Sequence, residues 1–174
     1  MITIKGRANS GTTWYLLHKA VEYCQMRFNH KPNLTTLWYY GELTRNDILN
    51  RIERLHTSEL IVGSLGCLNL VDAPAEIPYN LDNIIASSLA WKPGDIVVID
   101  APVTTSIDKS AMDDRNVIVQ ALTALQTHTD VVMYFKEQLN RTDNPVYTAN
   151  YAHNSFEWEI IQDGSTHYVN LIDM

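Results

Sequence analysis

Residues 2–13 read Ile2-Thr3-Ile4-Lys5-Gly6-Arg7-Ala8-Asn9-Ser10-Gly11-Thr12-Thr13. Alternating apolar and polar residues at the start predict a short strand, and the spacing that follows is G-x-x-x-x-G-T-T. A phosphate-binding loop has G-x-x-x-x-G-K-T, in which the lysine reaches the β and γ phosphates and the last hydroxyl binds magnesium. Thr12 replaces the lysine, whereas Thr13 keeps the hydroxyl. The stretch therefore predicts a strand, a phosphate-type loop and a helix. The absence of the lysine leaves open whether the loop binds a nucleotide.

The hydrophobic pattern continues this unit as an alternation of helices and strands. Helices are predicted over residues 12–28, after a capping box at 44–47, from an Asn80 cap to the residue before Pro93, and over 113–128. Strands are predicted over residues 34–40, within 60–71, over 96–100 and over 131–135. A polar loop is expected over 138–154, and Asp163-Gly164 is expected to turn a closing hairpin built from 156–160 and 168–172.

This alternation indicates the fold class. Ile96–Asp100 begins with four β-branched residues in succession, as expected of a central strand covered on both faces. We predict a three-layer α/β fold, with a mostly parallel central sheet flanked by helices and a C-terminal antiparallel β-hairpin. One domain over residues 1–174 fits the length. Because ligands bind at the carboxyl ends of parallel strands, residues 6–13, Glu42, Asp100 and Gln138 should share one rim.

Composition restricts the classes of partner. The chain is 45% hydrophobic and 19% charged, with a net charge of -7, which argues against generic nucleic-acid binding. The segments 102–114 and 142–154 are also poor in lysine and arginine, so neither predicts a basic channel for single strands. Cys24 and Cys67 show no disulfide or metal spacing, and no apolar run approaches the length of a membrane span. We expect a cytoplasmic protein with no membrane partner.

The four places on the predicted rim match, in chain order, the parts of a magnesium-dependent phosphoryl-transfer site. These parts are a phosphate loop, an acid that orients water, an acid for the metal and a polar sensor. Each has an ordinary structural explanation when taken alone. A glycine-bounded loop is often only a tight turn, Asp100 could cap a turn, and Glu42 and Gln138 could be solvated loop residues. The joint order is more specific than any single motif.

In this order the motifs resemble the RecA-like ATPase core and, within it, the DnaB-type replicative helicase domain. The resemblance rests on a degenerate Walker A motif at 6–13, Tyr40-Gly41-Glu42-Leu43, a Walker B strand at Ile96–Asp100, and Gln138-Leu139-Asn140-Arg141. It implies catalytic roles for Glu42 as the water-orienting base, Asp100 as the Walker B acid and Gln138 as a phosphate sensor or DNA-loop anchor. It also implies nucleotide contacts from Gly6, Asn9, Ser10, Gly11, Thr12 and Thr13, and magnesium at Thr13 and Asp100 if a nucleotide binds.

The missing lysine separates the functional hypotheses. Its loss would remove roughly 2–4 kcal/mol of transition-state stabilisation, the scale of one oxyanion donor. Lys5 and Lys19 are the nearest lysines in sequence, but one precedes the loop and the other lies well inside the helix. We therefore expect a catalytically impaired accessory or regulatory protein of DNA replication, recombination or repair. It would act through contacts with a RecA-like or helicase subunit, or with itself.

Two alternatives remain open at this point. One is an ATP-dependent DNA-processing ATPase of helicase or recombinase type, which uses an atypical Walker A motif and takes its cation from Lys5, Lys19 or a neighbouring subunit. The other is a structural α/β protein whose polar rim is accidental. ATP and magnesium are the candidate cofactors of the first alternative, and no cofactor is required by the second.

Overall fold

The computed structural model describes residues 1–7, 9–28, 35–40, 43–55, 68–71, 79–105, 111–139, 149–153 and 156–173. The elements are β1 (Ile2–Gly6), α1 (Thr12–Phe28), β2 (Thr36–Tyr40), α2 (Arg45–Leu55), β3 (Leu68–Val71), β4 (Tyr79–Asn80), α3 (Leu81–Ser87), a 3-10 turn (Ser88–Ala90), β5 (Ile96–Asp100), β6 (Val103–Thr104), α4 (Ala111–Thr129), β7 (Val132–Gln138), β8 (Ala149–His153), β9 (Phe156–Asp163) and β10 (Thr166–Asp173). Glu42, Asn140 and Arg141 lie outside the described residues.

The main sheet has the order β3-β2-β5-β7-β1-β10-β9-β8. Every neighbouring pair from β3 to β10 is parallel, whereas β9 pairs antiparallel with both β10 and β8. A short parallel pair, β4 and β6, stands apart from this sheet. The predicted fold class is confirmed, since the sheet is mostly parallel and closes with an antiparallel hairpin at the C-terminus.

Helices cover both faces of the sheet. Val98 of β5 packs in one apolar cluster with residues of α1 and α2, while Val97 and Ile99 pack in a second cluster with residues of α3 and α4. All five residues of β5 are buried. The uninterrupted apolar run of this strand is thus explained by contact with helices on both sides, as the sequence predicts.

Several predicted helix starts are confirmed by their capping contacts. The Thr44 amide donates to Asp47 Oδ2 at 3.0 Å, and the Asp47 amide donates back to Thr44 Oγ1 at 3.2 Å. The Asn80 side chain accepts from the Asp82 amide at 2.8 Å. These contacts satisfy amides of the first helical turn that have no partner inside the helix.

The structure differs from the sequence-based expectations in the short strands β4 and β6, which were not predicted, in the end of α3 at Ser87, and at three places in the main sheet. Strand β7 continues to Gln138 instead of ending at Phe135, because its backbone pairs with β1 as far as Gly6. Strand β8 lies within a stretch predicted as loop, where backbone pairing with β9 replaces the missing apolar pattern. The hairpin turn lies one residue later than predicted, since Asp163 still pairs with Thr166.

Among the described residues, no helix combines the length and the apolar character needed to cross a membrane.

Strand β10 holds the loop between β1 and α1 in place. The Leu171 amide donates to the Ser10 carbonyl oxygen at 2.8 Å. Gly11 has a φ of 73°, and a Cβ at this position would lie 2.5 Å from Leu171 Cβ. The loop therefore needs a glycine at position 11 for its backbone conformation and for its contact with β10.

We expect Gly11→Ala to lower the free energy of unfolding by about 2–4 kcal/mol, because it combines a left-handed φ with a collision against Leu171. Gly164→Ala is the matched control, since its φ is 56° and a Cβ there would meet nothing within 4 Å. The control should cost about 1 kcal/mol. Urea unfolding of both variants measures the difference, and equal costs would contradict a steric role for Leu171.

Candidate functional site

The loop after β1 forms a tight turn that leads directly into α1. The Ser10 amide donates to the Arg7 carbonyl oxygen at 3.0 Å, and Asn9 has a left-handed φ of 63°. The helix begins at Thr12, and the Tyr15 amide donates to the Gly11 carbonyl oxygen at 3.0 Å. The amides that precede Tyr15 at the start of the helix have no helical acceptor, so their partial positive charge faces the loop.

The loop is packed closely on its inner side. A Cβ at Gly6 would collide with the Ser10 hydroxyl and the Thr12 methyl group, so only glycine fits at the end of β1. Thr12 is buried, and its methyl group packs beneath the loop. Ser10 is 5% exposed, and its hydroxyl has no hydrogen-bond partner among the described residues. A buried polar atom without a partner is rare in native proteins and indicates a site for a ligand or water.

The start of α1 is joined to the carboxyl end of β5 through a lysine. Lys136 Nζ lies 2.8 Å from Asp100 Oδ1 and donates to Thr13 Oγ1 at 3.2 Å. Thr13 Oγ1 in turn donates to the same carboxylate oxygen at 3.2 Å. The Asp100 side chain is 3% exposed and that of Lys136 is 21% exposed. The three side chains form a compact polar group, the Lys136 triad, at the rim of the sheet.

The sheet order explains why Lys136 reaches both partners. Strand β7 lies between β1 and β5, and Lys136 pairs in register with Ile4 of β1. Successive side chains of a strand point to opposite faces, so Lys136 shares a face with Tyr134, which packs in the cluster that contains α1. A long side chain at this position therefore lies under the first turn of α1 and beside Asp100.

A cavity of about 370 Å³ opens above the loop and the Lys136 triad. Arg7, Arg51 and Lys136 line it together with loop residues, and no acidic side chain among the described residues does so. The chain as a whole has a net charge of -7. The cavity therefore concentrates positive charge on an acidic protein, which suits an anionic ligand.

Arg51 of α2 lines the cavity together with the loop residues. Its guanidinium carbon lies 4.9 Å from the centre of the Trp14 ring, which fixes the group over an aromatic face. Burial lowers the pKa of Arg51, while attraction to Asp100 acts in the opposite direction. An arginine stays protonated at neutral pH despite such a shift, so Arg51 contributes a full charge to the cavity.

The two lysines considered from the sequence have other partners. Lys5 Nζ lies 3.2 Å from Glu137 Oε2, and Arg115 contacts the same carboxylate through two hydrogen bonds. Burial raises the pKa of Glu137, but the contacts with Arg115 and Lys5 outweigh it and lower the pKa overall. Lys19 Nζ pairs with Glu22 at 2.9 Å. Neither Lys5 nor Lys19 lines the cavity.

The structure brings most of the predicted site residues together. Seven of these residues line the cavity: Gly6, Asn9, Ser10, Gly11, Thr12, Thr13 and Gln138. Asp100 lies directly behind the cavity through its contact with Lys136. Glu42 lies outside the described residues, so its predicted role stays a prediction.

Sequence reasoning missed Lys136 and Arg51. The sequence signal for Lys136 was a lysine two residues before Gln138, at the carboxyl end of a strand. Nothing in the sequence indicated Arg51, because α2 meets the loop only in the folded chain.

The cavity fits a phosphate group and does not fit magnesium in this arrangement. The loop amides, the Ser10 hydroxyl and the cationic walls all favour an anion. Magnesium needs oxygen ligands in near-octahedral geometry, but the ammonium group of Lys136 contacts both predicted magnesium ligands, Thr13 and Asp100. Within the described residues, no group of three His, Cys, Asp or Glu side chains offers another metal site.

We expect Lys136→Met to lower the free energy of unfolding by about 2–4 kcal/mol, because Asp100 then loses its ion pair while it stays buried. The double variant Lys136→Met/Asp100→Asn removes both charges and should recover most of this loss. Lys19→Met is the matched control: Lys19 is 21% exposed, as is Lys136, but its partner Glu22 is 42% exposed. Urea unfolding tests this, and a double variant less stable than Lys136→Met would contradict the assigned pairing.

No protein-family model and no curated protein sequence matches this chain. A solved structure of a DnaB-like replicative helicase, described with its interactions with primase, matches with a TM-score of 0.67 and 15% sequence identity. The alignment covers 99% of this chain and 54% of the helicase chain, so the present chain spans about half the length of that protein. The similarity shows that the chain has a RecA-like α/β fold of the kind found in a DnaB-like helicase.

Proposed function

We propose that the chain is a RecA-like module with an impaired nucleotide site, which acts through protein contacts as an accessory or regulatory protein in DNA replication, recombination or repair. The observation that carries the first part is the Lys136 triad. Lys136 Nζ contacts Asp100 at 2.8 Å and Thr13 at 3.2 Å, which are the two residues that would bind magnesium in an active site.

An ammonium group cannot replace magnesium in phosphoryl transfer. A divalent ion coordinates β and γ oxygens together and offsets the charge that develops between them, whereas an ammonium group carries one charge and forms only hydrogen bonds. Thr12 adds to this deficit, because its methyl group packs against Gly6 and no lysine extends from the loop. The site can therefore attract phosphate and still lack the means to break the bond between β and γ phosphates efficiently.

The proposed role in DNA metabolism draws on the fold. The similar solved structure is a DnaB-like replicative helicase described with its interactions with primase. RecA-like domains associate side by side across their nucleotide sites, so a module without efficient hydrolysis could occupy one such position and alter its neighbours. The net charge of -7 supports contacts with proteins over direct contacts with DNA.

We expect no magnesium-dependent ATP hydrolysis above the background of a protein-free sample, and no change in Asp100→Asn or Glu42→Gln. Release of phosphate measured over hours with ATP and Mg²⁺ tests this. Asp163→Asn, at an exposed position beside the hairpin turn, controls for the loss of one acidic charge. Turnover that falls at least tenfold in Asp100→Asn or Glu42→Gln, but not in Asp163→Asn, would establish the alternative, an ATPase of helicase or recombinase type.

The proposed partner is a RecA-like or helicase subunit. Adding the chain to the replicative helicase of the organism that encodes it should change the rate of ATP hydrolysis by that helicase in a saturable way. The measurement uses the helicase at fixed concentration and the chain in increasing amounts, with the Gly11→Ala variant as a second sample in which the loop is disturbed. A helicase rate that does not change at any concentration would contradict this part of the proposal.

A further inference from the structure

The cavity combines strong positive charge with a predicted metal site that the protein itself fills. We infer that this cavity binds the phosphate groups of a nucleotide or of a free polyphosphate without a divalent metal ion, and that Lys136 supplies the cation. The inference rests on the proposed function, because it describes how the impaired site retains a ligand.

The first step is the position of the cation. Lys136 Nζ contacts Thr13 Oγ1, so the ammonium group lies at the first turn of α1, next to amides that have no helical acceptor. In a phosphate-binding loop the lysine comes from the loop itself, at the position that Thr12 occupies here. The fold therefore places a lysine of β7 beside a loop that has no lysine of its own. This lysine comes from a neighbouring strand of the sheet, so no loop motif could reveal it.

The second step is the charge balance of the cavity. Arg7, Arg51 and Lys136 line it, and the Asp100 carboxylate lies against Lys136. Asp100 and Asp47 both attract the Arg51 charge, but neither carboxylate lines the cavity, whereas all three cations do. A phosphate group that enters the cavity competes with Asp100 for Lys136. The ion pair between Lys136 and Asp100 therefore limits the affinity of the cavity for phosphate. Asp100 should thus weaken phosphate binding, whereas a magnesium ligand would strengthen it.

The third step is the buried hydroxyl of Ser10, which has no hydrogen-bond partner among the described residues. Ser10 is 5% exposed and lines the cavity. A phosphate oxygen that reaches this hydroxyl would accept a hydrogen bond from it. This observation is independent of the lysine, and it leaves a hydrogen-bond donor for an oxygen atom of phosphate or of water.

The test measures binding by calorimetry, with pyrophosphate and ATP as probes, once in EDTA and once with excess Mg²⁺. We expect both probes to bind in EDTA, and we expect Mg²⁺ to leave the affinity unchanged or to weaken it, because the ion reduces the charge of the probe. Tighter binding of ATP than of pyrophosphate would identify a nucleotide as the ligand, and equal binding would identify the phosphate groups alone. Both results support phosphate recognition.

Three variants test the assigned cation, and a fourth serves as the control. Lys136→Met should weaken binding in EDTA roughly ten- to hundredfold, the scale of one charge-assisted hydrogen bond. The double variant Lys136→Met/Asp100→Asn should show the same weakening, which keeps the test valid if the single variant does not fold. Asp100→Asn should tighten binding severalfold, because it releases Lys136 to the ligand. Lys19→Met removes an equally exposed lysine that pairs with Glu22 outside the cavity, and it should bind as the parent chain does.

Several outcomes of the binding experiments would overturn the inference. Binding that requires Mg²⁺ and is lost in Asp100→Asn would overturn the inference in favour of an ordinary metal site. Binding that is unchanged in Lys136→Met, that is equally strong for sulfate and pyrophosphate, or that is absent in both buffers would also overturn it. Failure of the proposed function has a different signature, since magnesium-dependent ATP hydrolysis contradicts impairment whether or not metal-free binding is seen.

Discussion

The buried carboxylate of Asp100 is the constraint on which the site depends. A carboxylate that is 3% exposed needs a cation or several hydrogen-bond donors, because the interior solvates charge poorly. In a magnesium-dependent ATPase the cation would be the metal, supplied with the nucleotide. Here Lys136 supplies the cation, and Thr13 completes the contact. One ion pair therefore joins β5, β7 and the start of α1 and sets the chemistry of the rim.

The same ion pair bears on two functions that a phosphate loop normally combines, the attraction of an anion and the hydrolysis of a nucleotide. Attraction of an anion needs positive charge, and Arg7, Arg51 and Lys136 line the cavity beside the start of α1. Hydrolysis in a magnesium-dependent ATPase also needs a divalent ion, and the two residues predicted to bind it, Thr13 and Asp100, contact an ammonium group here. Attraction of an anion and coordination of a divalent ion thus depend on different side chains of one rim.

Much of the fold could be predicted from local patterns. The bounds of α1 and β5 agree with the sequence prediction, as do the caps at Thr44 and Asn80, because helix periodicity, β-branched runs and capping residues act over a few neighbouring positions. The continuation of β7 to Gln138 and the edge strand β8 could not be predicted in this way. Both depend on backbone pairing with strands distant in sequence, which leaves little trace in hydrophobicity.

The sequence by itself determined a three-layer α/β architecture and a loop without its lysine, with Asp100 and Gln138 at the ends of strands. These features follow from spacing and residue type, and the rule that parallel strands end at one edge brings them to a common rim. Only the tertiary structure decided which cation serves that rim. Lys136 lies 123 residues from Thr13 in sequence and reaches it because β7 lies between β1 and β5. The order of strands within a sheet is a property of long-range packing, so no local pattern could have assigned that lysine to the loop.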